Sequence, residues 1–115
     1  MTTLEELIQN VQAWGDEKNI TGPHGKATIL GQLKKTQEEL TETRDEAVIM
    51  LNAKHQEAYN EARERFKVEL GDQLVTLILL AKLSGVTIAE CLSLAHEKIK
   101  DRTGVMKDGV FVKDK

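Results

Sequence analysis

The sequence is poor in the residues that break helices, cross-link chains or build aromatic cores. It contains one proline, one cysteine and four aromatic residues among 115. A single cysteine excludes a disulfide within the chain and favours a reducing compartment, and so few aromatic residues require an aliphatic core. A chain of 12.9 kDa supports one modest core at most. The sequence therefore predicts a single domain spanning residues 1–115.

A basic block and a long apolar run are also missing. The formal net charge is -3, which argues against a non-specific nucleic-acid binder held by phosphate contacts. The N-terminus, MTTLEELIQNV, lacks the features of a signal peptide, and the apolar run after Gln73 is short and contains Thr76 and Lys82. We therefore expect a cytoplasmic protein that binds neither nucleic acid nor membrane.

Helical periodicity is the main pattern that is present. Apolar residues recur every three or four positions in four segments, which are separated by the loop NITGPHGK, by a turn around residues 52–56 and by Gly85. Asp108-Gly109 between short apolar runs predicts a small C-terminal hairpin or extended arm. The predicted fold is an all-α bundle of about four helices, which run from Thr3 to Lys18, Ala27 to Asn52, Gln56 to Ser84 and Thr87 to Lys100.

The second and third predicted helices carry the strongest apolar patterns. From Leu74 onward the third helix has almost no polar face, as in a buried helix. Bundles this small also bury apolar faces by association, so we expect a homodimer or a homotetramer. The second helix has one apolar stripe, which we expect to face inward: Ile29, Leu33, Leu40, Ala47 and Leu51.

Four pairs of acidic residues stand three positions apart, so the members of each pair share a helical face. Chance alone gives roughly three such pairs in this composition, so position must distinguish them. Glu69 and Asp72 precede the most apolar stretch of the chain, and Glu39 and Glu42 flank Leu40. Both pairs lie about 15 residues, or roughly 22 Å of helix, from the expected turn near residue 55. A chain reversal there would bring them side by side.

Four carboxylates in a partly desolvated cleft would repel one another by several kcal/mol unless a cation binds them. Mg²⁺ fits best because it takes oxygen ligands and commonly joins carboxylates to substrate phosphates. Zinc would normally require His or Cys ligands, and none is suitably spaced. The sequence therefore predicts an Mg²⁺ site, in which Mn²⁺ can substitute.

The segments KTQEELTE and ELGD, at residues 35–42 and 69–72, resemble a known two-part signature. It is the E-x-x-E and E-x-x-D signature of the MazG-like, all-α nucleoside triphosphate pyrophosphohydrolases, in particular the short phage and bacterial type. The likeness extends over nearly the whole chain, including the closing GVMKDGVFVK. It implies hydrolysis of an NTP or dNTP to the monophosphate and pyrophosphate. Thr36, where relatives often have Leu, departs from the pattern and leaves the substrate preference open.

The resemblance also implies roles for individual residues. The implied metal ligands are Glu39, Glu42, Glu69 and Asp72. The implied triphosphate-binding residues are Lys35, Arg65, Lys98 and Arg102, and ordinary helix-stabilising ion pairs are the alternative for them.

The inferred reaction also needs a general base. Glu38 or Glu39 is the candidate, because a carboxylate beside the site that is not fully used by the metal can accept a proton. Trp14 is the candidate for stacking on the nucleotide base, and a core tryptophan is the alternative.

Two other functions stay open on the sequence alone. The chain could be a helical interaction module without catalysis, whose acidic residues are simply solvated. It could also be a degenerate family member that binds nucleotide without hydrolysing it. Dependence on Mg²⁺ and release of pyrophosphate distinguish these three functions from one another.

Overall fold

The computed structural model describes all 115 residues and contains four α-helices followed by a two-stranded hairpin. In chain order the elements are α1 (Leu4–Glu17), α2 (Ile29–Leu51), α3 (Gln56–Leu83), α4 (Ile88–Ile99), β1 (Gly104–Lys107) and β2 (Val110–Lys113). The all-α class, the four helices and the hairpin are confirmed. The chain divides into two compact units, Met1–Gly85 and Val86–Lys115, and the prediction of a single domain stays a prediction.

A side chain caps the start of each helix. Thr3, Thr28 and Thr87 accept a hydrogen bond from the backbone N–H three residues further on, and His55 does the same through Nδ1. Each cap satisfies an N–H group that has no partner inside the helix. At Thr87 the Glu90 side chain also accepts from the backbone N–H of Thr87, which completes the predicted capping box.

The turn between α2 and α3 reverses the chain as predicted. α2 ends at Leu51 and α3 begins at Gln56, and the two helices pack against each other along their lengths. α1 packs against α3. The first unit is therefore an antiparallel α2–α3 pair with α1 lying on α3.

The apolar stripe of α2 does not face inward, so that prediction is wrong. Its four large members are all exposed: Ile29, Leu33, Leu40 and Leu51. The buried residues of α2 are instead polar: Gln32, Glu39 and Thr43. Their spacing of seven and four places them on one face, next to the face of the apolar stripe. α2 therefore uses polar side chains against its neighbour and leaves its leucines uncovered.

The buried apolar core is small. Only Ala62, Leu79 and Ala81 are buried apolar residues, and no large side chain is fully buried. From Leu74 onward α3 is less buried than predicted, because Leu74 itself is 54% exposed and several of its neighbours are half-buried. The polar α2–α3 contact is the reason, since it leaves few apolar side chains for α3 to pack against.

An ion pair joins α1 to α3. Lys82 Nζ lies 2.7 Å from Oδ2 of Asp16, and the Thr21 hydroxyl donates to Oδ1 of Asp16 at 2.7 Å. The hydrogen bonds from Lys82 and Thr21 lower the pKa of Asp16 below its ordinary value of 3.8. Their contribution to stability is therefore present above that ordinary value and is lost as the pH falls through the lower value of the folded chain.

Gly15 allows α1 to approach α3 closely. A Cβ atom at Gly15 would lie 2.6 Å from Cδ2 of Leu79 and 2.9 Å from Oγ1 of Thr21. We expect Gly15→Ala to lower the free energy of unfolding by about 1–3 kcal/mol, because overpacking must move α1 or distort these side chains. Urea denaturation measures the change.

Gly71→Ala is the matched control for Gly15→Ala. Nothing lies within 4 Å of a Cβ atom at Gly71, which is in the middle of α3. Alanine there should raise the free energy of unfolding by roughly 0.5–1 kcal/mol, because it is the better helix former. Equal effects of the two substitutions would contradict the close approach at Gly15.

The second unit consists of α4 and the β1–β2 hairpin. None of the residues of α4 is buried. The strands pair antiparallel, with Val105 opposite Val112 and Met106 opposite Phe111. Asp108 and Gly109 form the turn with φ values of 51° and 82°. Two positive φ angles are typical of the two-residue turns that join twisted strands, so the Asp-Gly signal is confirmed.

No single helix is both long and apolar enough to cross a bilayer. By length and composition alone, only α3 and α4 taken together across the break between them meet that criterion.

Candidate metal centre

Three of the four predicted metal ligands meet between α2 and α3. Glu39, Glu69 and Asp72 each offer a carboxylate oxygen, and these oxygen atoms all lie within 4.8 Å of one another. Glu39 belongs to α2 and the other two residues to α3, so the cluster depends on the chain reversal between these helices. On one continuous helix the two acidic motifs would be about 45 Å apart and could not share a cation.

Two polar side chains of α2 hold the helices together on either side of Glu39. Gln32 Nε2 donates to the carbonyl oxygen of Thr76 at 3.1 Å. The Thr43 hydroxyl lies 2.8 Å from the carbonyl oxygen of Glu39 and 3.2 Å from that of Glu69. These contacts set the separation of α2 and α3 where the carboxylates meet.

Gln32, Thr43 and Thr76 were not predicted from the sequence as part of the site. The signal in α2 is a polar row at residues 32, 36, 39 and 43, whose spacing of four, three and four keeps it on one helical face. Such a row is also typical of a solvated surface. Only contact with α3 distinguishes the two interpretations.

Two oxygen atoms of the cluster are buried without a hydrogen-bond partner. They are Oε2 of Glu39 and Oε2 of Glu69. The Glu39 side chain is only 10% exposed. A carboxylate oxygen that is desolvated and unpaired is costly, whereas a divalent cation with oxygen ligands would satisfy both atoms. These two atoms distinguish the cluster from an ordinary acidic surface.

Charged neighbours act on Glu39 in opposite directions. Burial raises the pKa of Glu39 above its ordinary value of 4.5, and the neighbouring Glu42 carboxyl raises it further. Lys35 opposes this effect, since its Nζ lies 3.5 Å from Oε1 of Glu39. The charges of Glu39 and then Glu38, whose Oε2 lies 3.6 Å away, raise the pKa of Lys35. One ammonium group therefore does not offset the burial and repulsion that act on Glu39.

Glu42, the fourth predicted ligand, lies beside the cluster rather than within it. It is exposed and is not among the three residues whose oxygen atoms converge. The Glu42 carboxyl nevertheless raises the pKa of Glu39, so the two carboxyl groups are neighbours. The role of Glu42 as a metal ligand stays a prediction.

A cavity of about 300 Å³ opens beside the carboxylates. Pockets for small molecules typically measure about 300–1,000 Å³. Trp14 lines this cavity and is 44% exposed, so it is not enclosed in a core. Four residues predicted from the sequence line this one cavity: Trp14, Lys35, Glu39 and Asp72.

The other three predicted phosphate-binding residues are Arg65, Lys98 and Arg102. Arg65 pairs with Glu46, with 3.0 Å between Nε and Oε2, and lines a separate cavity beside the α2–α3 turn. Lys98, in the last turn of α4, and Arg102 belong to the second unit. Their phosphate-binding roles stay predictions.

No family model, curated protein or solved structure matches this chain. The resemblance to MazG-like enzymes therefore rests on the motifs in the sequence and stays a prediction. The cluster itself is defined by geometry: three converging carboxylates, two unpartnered oxygen atoms, one ammonium group and an adjoining cavity. This combination suits a divalent cation that carries a phosphorylated ligand.

Proposed function

We propose that this chain is an Mg²⁺-dependent nucleoside triphosphate pyrophosphohydrolase of the MazG-like type. The observation that carries the proposal is that Glu39 and Glu69, each of which has one buried carboxylate oxygen without a hydrogen-bond partner, converge with Asp72. A donor set made only of carboxylate oxygens favours Mg²⁺ over zinc, and Mn²⁺ would substitute for it. The substrate would be an NTP or dNTP, and the products the monophosphate and pyrophosphate.

Each residue of the site has a specific task in this reaction. Glu39, Glu69 and Asp72 would hold the Mg²⁺, which would supply positive charge for the triphosphate and a water molecule of lowered pKa. Lys35, which is half-exposed beside Glu39, can neutralise charge on the triphosphate. Glu38 is 52% exposed and is not part of the converging set. It is therefore not occupied by the metal and can accept the proton of the attacking water, with Glu39 as the alternative base.

The nucleoside would occupy the cavity beside the cluster. Trp14 and Asp72 line the same cavity, so an indole ring and a metal-binding carboxylate face one space. One nucleotide could thus stack its base on Trp14 and place its phosphates at the cation. The cavity wall is mostly apolar and includes Ile20 and Val75, which suits a planar base better than a second charged group.

Assays of pyrophosphate release from the natural NTPs and dNTPs, with Mg²⁺ or with EDTA, test the proposal. We expect one pyrophosphate and one monophosphate for each triphosphate consumed, and no turnover in EDTA. Release of orthophosphate, or turnover that survives EDTA, would contradict the assigned reaction. Nucleotide binding without turnover would instead identify a degenerate member, and absence of both would favour the interaction module.

A further inference from the structure

The Thr43 hydroxyl joins the backbones of the two residues whose carboxylates are buried at the cluster. Its oxygen lies 2.8 Å from the carbonyl oxygen of Glu39 in α2 and 3.2 Å from that of Glu69 in α3. Thr43 is itself buried, with 8% of its surface exposed. Glu39 and Glu69 each have one buried carboxylate oxygen without a hydrogen-bond partner. One hydroxyl group therefore connects, across two helices, the backbones that carry both of these carboxylates.

The hydrogen bond from Thr43 to α3 is the only one between α2 and α3 that reaches a residue of the cluster. The other two join Gln32 to Thr76 and Arg65 to Glu46. Gln32 lies seven residues before Glu39, or roughly 10 Å along the helix, whereas Thr43 lies four residues after it, or roughly 6 Å. Thr43 therefore acts most directly on the separation of the helices at the carboxylates.

Loss of this hydroxyl group would widen the gap between the two helices. A methyl carbon packs against a carbonyl oxygen at about 3.3–3.6 Å, whereas the Thr43 hydroxyl lies at 2.8 and 3.2 Å from its two acceptors. Valine has the shape of threonine but places a methyl group where the hydroxyl was. Thr43→Val should therefore push the two carbonyl oxygen atoms apart by a few tenths of an ångström.

Divalent cations of different size respond differently to such a change. Mg²⁺ holds oxygen ligands at about 2.0–2.1 Å in a strict octahedral geometry, whereas Ca²⁺ accepts about 2.3–2.6 Å and irregular geometries. Neighbouring ligand oxygens are therefore roughly 2.9 Å apart around Mg²⁺ and roughly 3.4 Å apart around Ca²⁺. Closely held helices suit the smaller ion, and a widened or looser pair suits the larger one.

We propose that Thr43 is a positioning residue that makes the cluster select Mg²⁺ over Ca²⁺, because it holds α2 and α3 close together beside the carboxylates. The proposal rests on the proposed function, since it takes the cluster to be the metal centre of that enzyme. Thr43 lies just outside the acidic signature at residues 35–42 and acts through the backbones of Glu39 and Glu69, not as a ligand.

Isothermal titration calorimetry of the metal-free, full-length chain with magnesium chloride and, separately, with calcium chloride tests the proposal. For Thr43→Val we expect the Mg²⁺ dissociation constant to rise at least about tenfold, as when other groups that orient metal ligands are lost. The Ca²⁺ dissociation constant should change by less than about threefold, because Ca²⁺ tolerates longer and less regular ligand distances. An unchanged ratio of the two constants, including an equal loss of affinity for both ions, overturns the proposal.

Thr36→Val is the matched control for Thr43→Val. Thr36 belongs to the same polar row of α2, and its hydroxyl also donates to the carbonyl oxygen four residues earlier, that of Gln32, at 3.0 Å. It makes no hydrogen bond to α3, so Thr36→Val should keep the ratio of the parent chain. An equal fall of the ratio in both valine variants overturns the proposal.

Two further substitutions at Thr43 separate the hydroxyl from the rest of the side chain. Thr43→Ser keeps the hydroxyl and should keep the ratio of the parent chain; a ratio as low as in Thr43→Val overturns the proposal. Thr43→Ala covers the case in which Thr43→Val does not fold. It removes the hydroxyl without placing a methyl group against the carbonyl oxygens, and the ratio should still fall because the helices are no longer held. An unchanged ratio in Thr43→Ala overturns the proposal.

Metal selection and turnover can fail separately, because the titrations contain no nucleotide. A chain that loses its selection of Mg²⁺ in Thr43→Val, but whose parent releases no pyrophosphate, supports the role of Thr43 and overturns the proposed reaction. A parent chain that releases pyrophosphate, with an unchanged ratio in Thr43→Val, overturns the role of Thr43 alone. A parent chain that binds neither ion overturns both.

Discussion

Asp72→Asn is expected to lower kcat/KM for pyrophosphate release by at least about 10³-fold, or roughly 4 kcal/mol of transition-state stabilisation. Asp72 supplies one of three converging carboxylates. In the proposed metal centre its loss would weaken both the binding of the cation and the orientation of a bound water molecule. Because Asp72 is exposed, the fold should survive. Pyrophosphate release at several Mg²⁺ concentrations, with circular dichroism of the same samples, measures both properties.

Asp45→Asn is the matched control for Asp72→Asn. Both substitutions replace an exposed helical Asp by its amide, but Asp45 is not part of the cluster. We expect Asp45→Asn to retain the activity of the parent chain within about threefold. If Asp72→Asn were as active as the parent chain, the metal centre would be refuted. If both variants lost the same fraction of activity, the loss would reflect a general effect of surface charge.

Glu39→Gln is expected to have opposite effects on stability in the absence and in the presence of Mg²⁺. Without the metal, the substitution removes a buried negative charge that has one unpartnered oxygen atom. A gain of about 1 kcal/mol would raise the midpoint of thermal unfolding by roughly 2–8 °C. With Mg²⁺ at 100 times its dissociation constant, the parent chain should instead gain about 2.7 kcal/mol, and Glu39→Gln should gain little.

The raised pKa of Glu39 determines how the stability of the metal-free chain depends on pH. The pKa of Glu39 is raised in the folded chain by burial and then by Glu42, so the folded state holds this proton more tightly than the unfolded state. Stability without metal therefore falls as the pH rises from the ordinary value of 4.5 through the higher folded value, and the loss is complete above it. Glu39→Gln should flatten this part of the profile.

Scanning calorimetry across this pH range, in EDTA and in Mg²⁺, makes the measurement. Glu38→Gln is the neighbouring control, because the Glu38 side chain is 52% exposed and has no unpartnered buried oxygen. It should retain the stabilisation by Mg²⁺, and a loss of turnover in that variant would identify Glu38 as the general base. A Glu39→Gln chain that is destabilised in EDTA yet still stabilised by Mg²⁺ would exclude Glu39 as a ligand.

Much of the candidate site could be predicted because it depends on local signals and on simple helix geometry. The caps at Thr28 and His55 and the turn between α2 and α3 determine where the long helices begin and end. Once the turn is located, the equal distances of Glu39 and Asp72 from it place both residues at the same level. The convergence of Glu39, Glu69 and Asp72 agrees with that prediction.

The sequence did not predict which side chains of the site are buried, because burial depends on which of two adjacent faces α2 presents to α3. The apolar stripe through Leu33 and Leu40 and the polar row through Gln32 and Thr43 have the same helical period, so periodicity cannot choose between them. The choice explains why Glu39 is buried while Glu42 is exposed. Pairings between distant parts of the chain, such as that of Arg65 with Glu46, have no local signal either.

The sequence by itself determined the helices, their limits and the level at which the two acidic motifs meet, because each of these follows from residues within a few turns of one another. The tertiary structure decided which carboxylate oxygens are buried without a partner and which leucines are left exposed. Both outcomes come from one physical choice, the rotation of α2 about its axis, which is set by hydrogen bonds such as Gln32 to Thr76 across 44 residues of chain.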